Sequence, residues 1–370
     1  WQDFMFACSM YPDDADFLEN VKVEATENIE RLRRHPSIVH WCGNNEVDVA
    51  WHNWDWQKAY NIHGADSVQM AQAYPKIFKQ LLPELLSELD PQTPYSHTSP
   101  LSNWGKMENF GRGSMHYWGV WHGPDDFSGY EKYVGRFVSE YGFQSFPALS
   151  TILAFAERKD LSLDSEIMRH HQKSYIGNGL IKDFMEQYYL PALSFADFVY
   201  KSQLTQAEGY RTAIRAHRWD RAQCMGTLYW QLNDAWPAPS WSSIDYYGNW
   251  KAVHYALKEL YADLLLLPKA TDSGWDLGIA SDRLEPVEAK LVVELRNLAG
   301  EILNEEKQLI TVKPENTTKS SIQLSENKLG GAAPEQVYYD IQLLDKNGQV
   351  LASTFHFLRT PKELALLEPT

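Results

Sequence analysis

Two short stretches of the chain each bring a glutamate to the end of an apolar run. Residues 35–46 read as a helix stop at His35-Pro36, a strand from Ile38 to Trp41, and then Gly43-Asn44-Asn45-Glu46. Residues 137–142 repeat the arrangement as Phe-Val-Ser-Glu-Tyr-Gly and deliver Glu140. If both runs are strands of one β/α barrel, both carboxylates lie at its C-terminal mouth, the end that carries chemistry in such barrels. A carboxylate pair there can cleave a glycosidic bond, one group protonating the leaving oxygen while the other meets the developing oxocarbenium carbon. Mutual repulsion holds the acid's pKa up, while the partner, held by hydrogen bonds, stays ionised. A single strand-end glutamate reads more readily as a salt-bridge partner or helix cap. Two of them, each with a glycine nearby, favour chemistry.

The elements that must position these groups are written over the first 262 residues, where short apolar runs alternate with helical patterns. That alternation is the signature of β/α units around a parallel sheet. Six strands are predicted, at residues 4–8, 38–41, 95–98, 116–118, 137–139 and 227–230. Leu18, Val21, Ala25, Ile29 and Leu32 recur at helical spacing and stop before His35-Pro36, which predicts a crossover helix. A second helix is expected over 66–89, bent by Pro75 and Pro83, with others over 147–158, 165–189, 194–217 and 250–262. After Pro268 the period changes to alternation over 287–295, 337–343 and 350–357, with turn signals at Gly330-Gly331 and Asn347-Gly348. The expectation is an α/β chain: a TIM-type barrel region over residues 1–267, then an all-β, immunoglobulin-like sandwich over 268–370 with a packing role.

Composition narrows the partners. Lys+Arg of 34 against Asp+Glu of 49 gives a net charge of −15, which argues against nucleic acid. The longest aliphatic run, Leu264 to Leu267, is far too short for a bilayer. Fourteen tryptophans within 13% aromatics suit the C–H faces of sugar rings, or a Trp-rich core. Cys8, Cys42 and Cys224 each lie in an apolar run and read as buried thiols. Twelve histidines are scattered without ligand spacing, so no metal and no cofactor is expected. Asn316-Thr317-Thr318 is an N-glycosylation triplet of the kind that also arises by chance.

Four motifs then carry a resemblance that runs from Trp1 to about residue 262: residues 1–8 (WQDFMFAC), 41–46 (WCGNNE), 116–123 (HYWGVWHG) and 139–145 (SEYGFQS). The chain resembles β-mannosidases of glycoside hydrolase family 2, within the clan of retaining β/α-barrel glycosidases. The resemblance implies an exo-acting enzyme on β-mannoside oligosaccharides, with Glu46 as general acid/base, Glu140 as nucleophile and Asn45 on the sugar 2-OH. It also implies Trp230 as the aromatic floor under the ring and Trp54 and Trp104 as loop tryptophans on the sugar. Tyr117 is the first choice to donate a hydrogen bond to the nucleophile, with His116 and Trp118 on the same loop as further substrate-binding candidates. Asp234 reads as a turn cap.

In that family the six strands correspond to barrel strands three to eight. The expectation is therefore that two N-terminal sandwich domains and the first two barrel strands are absent from this chain. The barrel would then be completed by the remainder of the polypeptide or another segment, because open sheet edges invite pairing. Two alternatives stand beside the mannosidase reading: another retaining exo-β-glycosidase of the same fold, and a silent carbohydrate-binding protein. Retention of both Glu46 and Glu140 argues against the second.

Overall fold

A computed structural model describes residues 1–103 and 111–366. The chain divides into two interleaved units. One is Trp1–His116 with Gly135–Ser139, and the other is Tyr117–Val134 with Glu140–Thr370.

In the first unit the crossover helix spans Ala15–Leu32, and the Asp14 carboxylate caps it by accepting from Phe17 N–H at 3.0 Å. Its buried residues, Val21, Ala25 and Ile29, follow the four-residue step of one helical face. They pack on Phe4, Trp41, Ile77, Phe78, Leu82, Leu85 and Leu86. The 66–89 pattern resolves into a helix over Gly64–Pro75, a π-helical segment over Lys76–Leu81 and a helix over Leu82–Leu89. Proline explains the break. Pro75 has no N–H to donate and ends the first helix, while Pro83 lies in the first turn of the last, where no donor is needed.

The strands are shorter than the apolar runs predict. β1 (Gln2–Asp3), β2 (Trp41–Cys42) and β3 (Tyr95–Ser96) form a parallel sheet in that order, with Gln2 opposite Trp41 and Trp41 opposite Tyr95. β4 (Ser102–Asn103), β5 (Ser114–His116) and β6 (Phe137–Glu140) form a second sheet, β4 and β5 parallel. Beyond β1 the ladder thins to single bridges, Ala7 with Asn45 and Asn45 with Ser99. Cys8 there adopts a left-handed φ of 42°. The expected strand over 227–230 is not a ladder strand; it hangs by single bonds such as Trp230 N–H to Tyr141 O at 2.8 Å.

In the second unit the long helix Phe195–Trp219, capped by Ser194, carries a buried face beside the helix Ala252–Leu260. The 165–189 pattern breaks into Glu166–His171 and Gly179–Tyr188, with Gly177 at a φ of 81° between them. The 147–158 pattern shrinks to Leu149–Leu153. Seven strands then build a sandwich. β7 (Leu264–Thr271), β8 (Gly274–Ser281) and β11 (Thr317–Leu324) form one sheet in the order β11-β8-β7. The other sheet runs β10-β9-β12-β13, from β9 (Val287–Asn297), β10 (Ile302–Val312), β12 (Val337–Leu344) and β13 (Val350–Phe357). Leu266, Ile279, Leu291, Val293, Ile341 and Leu343 share its core. Leu264 to Leu267 is the opening of β7, buried on both faces, so the sandwich begins before the expected 268. Among the described residues no helix is long and apolar enough to cross a membrane.

Candidate active site

Glu46 stands between β2 and the helix Val47–Asn53, with a left-handed φ of 63°. The cap is provided by Asn44 instead. Its Oδ1 accepts from Val47 N–H at 3.1 Å and from the Thr98 hydroxyl at 2.8 Å, and its amide donates to His97 O at 2.8 Å. The Glu46 side chain makes no capping bond, and the residue is only 8% exposed. Its Oε1 lies 2.8 Å from His116 Nδ1, and its Oε2 accepts from the Cys8 thiol at 3.3 Å. His116 Nε2 is 3.1 Å from Ser99 Oγ, and Ser99 Oγ lies 3.2 Å from the hydroxyls of Ser114 and Ser139. With a carboxylate at Nδ1, the consistent assignment is an Nδ1–H donor to Glu46 and an Nε2 acceptor toward Ser99.

Asn45 is stitched into the same corner. Its N–H donates to Phe6 O at 2.8 Å, its carbonyl accepts from Cys8 N–H at 3.0 Å, and its amide approaches Cys8 Sγ at 3.8 Å.

In the second unit Glu140 is 7% exposed, and its Oε2 accepts from Trp118 Nε1–H at 3.2 Å. An indole N–H can only donate, so the Glu140 oxygen is the acceptor in this contact. Trp118 is flanked by His122 and Trp241, with ring centres at 5.2 and 6.1 Å. His122 stacks on Tyr175 at 5.5 Å, and its Nδ1 lies 3.0 Å from the Tyr175 hydroxyl. Burial lowers the His122 pKa, with the nearby Glu140 charge acting the other way. Tyr117, the expected donor to the nucleophile, is turned elsewhere: its hydroxyl donates to Asp125 Oδ2 at 2.6 Å. The reason is alternation. Adjacent residues of an extended segment face opposite ways, and it is Trp118 that faces Glu140.

Trp230 is 41% exposed, and its backbone is bonded to Tyr141, the residue after Glu140. Besides the bond from its N–H to Tyr141 O, its carbonyl accepts from the Tyr210 hydroxyl at 2.5 Å. Only glycine fits at 142, since a Cβ there would collide with the Trp230 carbonyl. Trp54, 37% exposed, ends the helix Val47–Asn53 and meets Trp56 edge-on at 6.2 Å. Trp104 lies outside the described residues. Asp234 accepts from Ser240 and Ser242 hydroxyls at 2.8 and 2.6 Å, the turn role expected of it. Cys42 and Cys224 are buried as expected, but Cys8 is exposed, because the chain leaves the ladder before reaching it. His122 and Ser99 were not singled out from sequence. His122 lay in the 116–123 motif, whereas Ser99 carries no signal of its own.

The site geometry can be set beside known proteins. Residues 273–363 match the family model described as "Mannosidase Ig/CBM-like domain". A β-mannosidase of Rattus norvegicus is 31% identical over 324 residues, covering 81% of this chain and 36% of that protein. A β-mannosidase B of Neosartorya fischeri is 33% identical over 326 residues, covering 81% and 37%. The crystal structure of a β-D-mannosidase from Dictyoglomus thermophilum superposes with a TM-score of 0.86 at 31% identity, covering 99% of this chain and 43% of that one. The chain therefore spans about a third of the length of these curated relatives.

Proposed function

This chain belongs to the β-mannosidases of glycoside hydrolase family 2, and from that premise we propose that its protein is an exo-β-mannosidase that removes terminal non-reducing β-linked mannose from oligosaccharides with retention of configuration. The observation that supports this most is the contrast between two buried strand-end glutamates, Glu46 between an imidazole and a thiol, Glu140 under an indole N–H.

The chemistry follows from those partners. Glu46, protonated, gives its proton to the glycosidic oxygen as the Glu140 carboxylate attacks the anomeric carbon. The C–O bond to the leaving sugar breaks, and an ester bond from mannose to Glu140 forms. Glu46, now ionised, takes a proton from water as that water attacks the same carbon, and Glu140 leaves as a carboxylate. His116, backed by Ser99, orients Glu46 in both steps. Asn45 reads the 2-OH, where a hydrogen bond that strengthens at the transition state lowers the barrier. Trp230 is the sugar platform, with Trp54 and Trp104 as outer contacts. Ser139, hydrogen-bonded to Ser99 of the His116–Glu46 network, directly precedes Glu140 in the chain.

The test is mass spectrometry of the full-length protein after exposure to 2-deoxy-2-fluoro-β-mannosyl fluoride, with peptide mapping. The fluorine slows both steps and the fluoride leaves easily, so a retaining enzyme accumulates as its glycosyl ester. One sugar on Glu140 is expected. A folded, full-length protein that acquires no adduct, or acquires it on another carboxylate, would overturn the assignment.

A further inference from the structure

We propose that Cys8 is a positioning residue for the acid/base, its thiol orienting Glu46 Oε2. The inference rests on the role given to Glu46 above.

The two oxygens of Glu46 are held by donors of unequal strength. Oε1 has the His116 N–H at 2.8 Å, and Oε2 has the Cys8 S–H at 3.3 Å. A strong donor to both oxygens would favour the ionised form and weaken the acid. A thiol is a weak donor and a weak acceptor. It can give S–H to Oε2 when Glu46 is charged, and its sulfur can receive the proton side of Oε2–H when Glu46 is neutral. A thiol contact can therefore keep the direction of Oε2 through both halves of the reaction.

The backbone around this contact is built to keep it. Cys8 N–H donates to Asn45 O and Asn45 N–H to Phe6 O, so the thiol is anchored to the residue beside Glu46. Cys8 and Glu46 both occupy the left-handed region, with φ of 42° and 63°, and neither is glycine. Unfavourable backbone held at both ends of one side-chain contact is the pattern of a site that is over-determined by its surroundings. The thiol is also exposed, whereas Cys42 and Cys224 are buried and donate to the carbonyls of Asn44 and Gly226. Cys8 can thus be addressed chemically while the other thiols serve as internal controls.

The experiment compares Cys8→Ala, Cys8→Ser and, in parallel, Glu46→Ala in the full-length protein, reading kcat/KM for β-mannobiose and for 2,4-dinitrophenyl β-mannoside. The dinitrophenolate leaves without a proton, so an effect on the acid alone spares it. Cys8→Ala should lose about 10-fold on β-mannobiose and under about twofold on the dinitrophenyl substrate, and Cys8→Ser should recover to within about threefold of wild type. Equal losses on both substrates, or none, would refute positioning by Cys8. Should Cys8→Ala fail to fold, methyl methanethiosulfonate on the wild-type protein gives the same information. The Cys8 thiolate attacks the reagent's sulfenyl sulfur, a mixed disulfide forms, methanesulfinate leaves and the thiol proton goes to water. A selective loss on β-mannobiose that dithiothreitol reverses supports the proposal, and unchanged selectivity after complete labelling of Cys8 overturns it. Glu46→Ala separates the two levels. A loss confined to β-mannobiose keeps Glu46 as the acid whatever Cys8 does, while equal loss on both substrates brings down the acid assignment itself.

Discussion

Glu46 and Glu140 are nearly alike in burial and lie at the ends of similar sequence runs, yet they are held in opposite ways. Glu46 touches an imidazole, itself wired to a buried serine, and a thiol. Both partners can give or receive a proton's worth of hydrogen bond. Glu140 touches an indole that only gives, set among the rings of His122 and Trp241. The difference teaches how two carboxylates of similar burial can be given partners suited to the two different roles proposed for them. What separates the roles is whether the surrounding groups tolerate both protonation states, and two residues of the same type and burial can differ fully in that respect.

The contrast can be broken at either end. The largest effect is expected from Glu140→Gln, which keeps the shape and the indole contact but removes the nucleophile; kcat should fall by about 10⁴-fold or more, with sugar binding by calorimetry retained. His116→Gln comes next. It withdraws the imidazole donor from Glu46, and a loss of roughly 10- to 100-fold in kcat/KM is expected on poor leaving groups, with little change on activated ones. Trp118→Phe keeps the ring and deletes the N–H. About a 10-fold loss in kcat/KM should follow, because Glu140 loses a hydrogen bond. An unchanged kcat/KM would mean that the indole N–H does not serve the carboxylate.

The smallest effect sharpens the comparison from behind the nucleophile. His217 is fully buried, its ring edge-on to Tyr141 at 5.1 Å, and burial pushes its pKa down to about 3. Below about pH 6.5 the unfolded chain binds a proton that the folded protein refuses until about pH 3, so stability falls as pH falls through that window. His217→Gln should therefore flatten the acid slope of the melting temperature, by an amount equivalent to about 1.4 kcal/mol per pH unit at most. An unchanged slope would mean that His217 carries a proton when folded.

Much of this was legible in the residues. The period of Val21, Ala25 and Ile29 marked the crossover helix, and the alternation over Val337–Leu344 marked a strand with one buried face. Both glutamates stood out through their neighbours. What escaped were features decided by more than one segment. Leu264 to Leu267 lacks alternation because both faces of β7 are covered, so it did not read as a sheet strand. Residues 227–230 are apolar enough for a ladder, but their bonds go singly to Tyr141 and neighbouring loops. Tyr117 was read as the donor to Glu140 and Trp118 as a substrate contact, and the facing of the extended segment gives the Glu140 contact to Trp118 instead. Cys8 read as core because its run is apolar; the left-handed turn that exposes it has no sequence mark in the absence of glycine.

The interleaving of the two units has a consequence for recombination. The chain changes unit between His116 and Tyr117 and again between Ser139 and Glu140. A crossover at the first point would pair one parent's Glu46-bonded histidine with the other's indole donor; a crossover at the second would separate the serine of one network from the glutamate that follows it. Homologous shuffling that respects compact units would thus cut through the chemistry, and productive exchanges are expected to inherit residues 114–140 as a block. The inheritable module here is a stretch of chain, not a body in space.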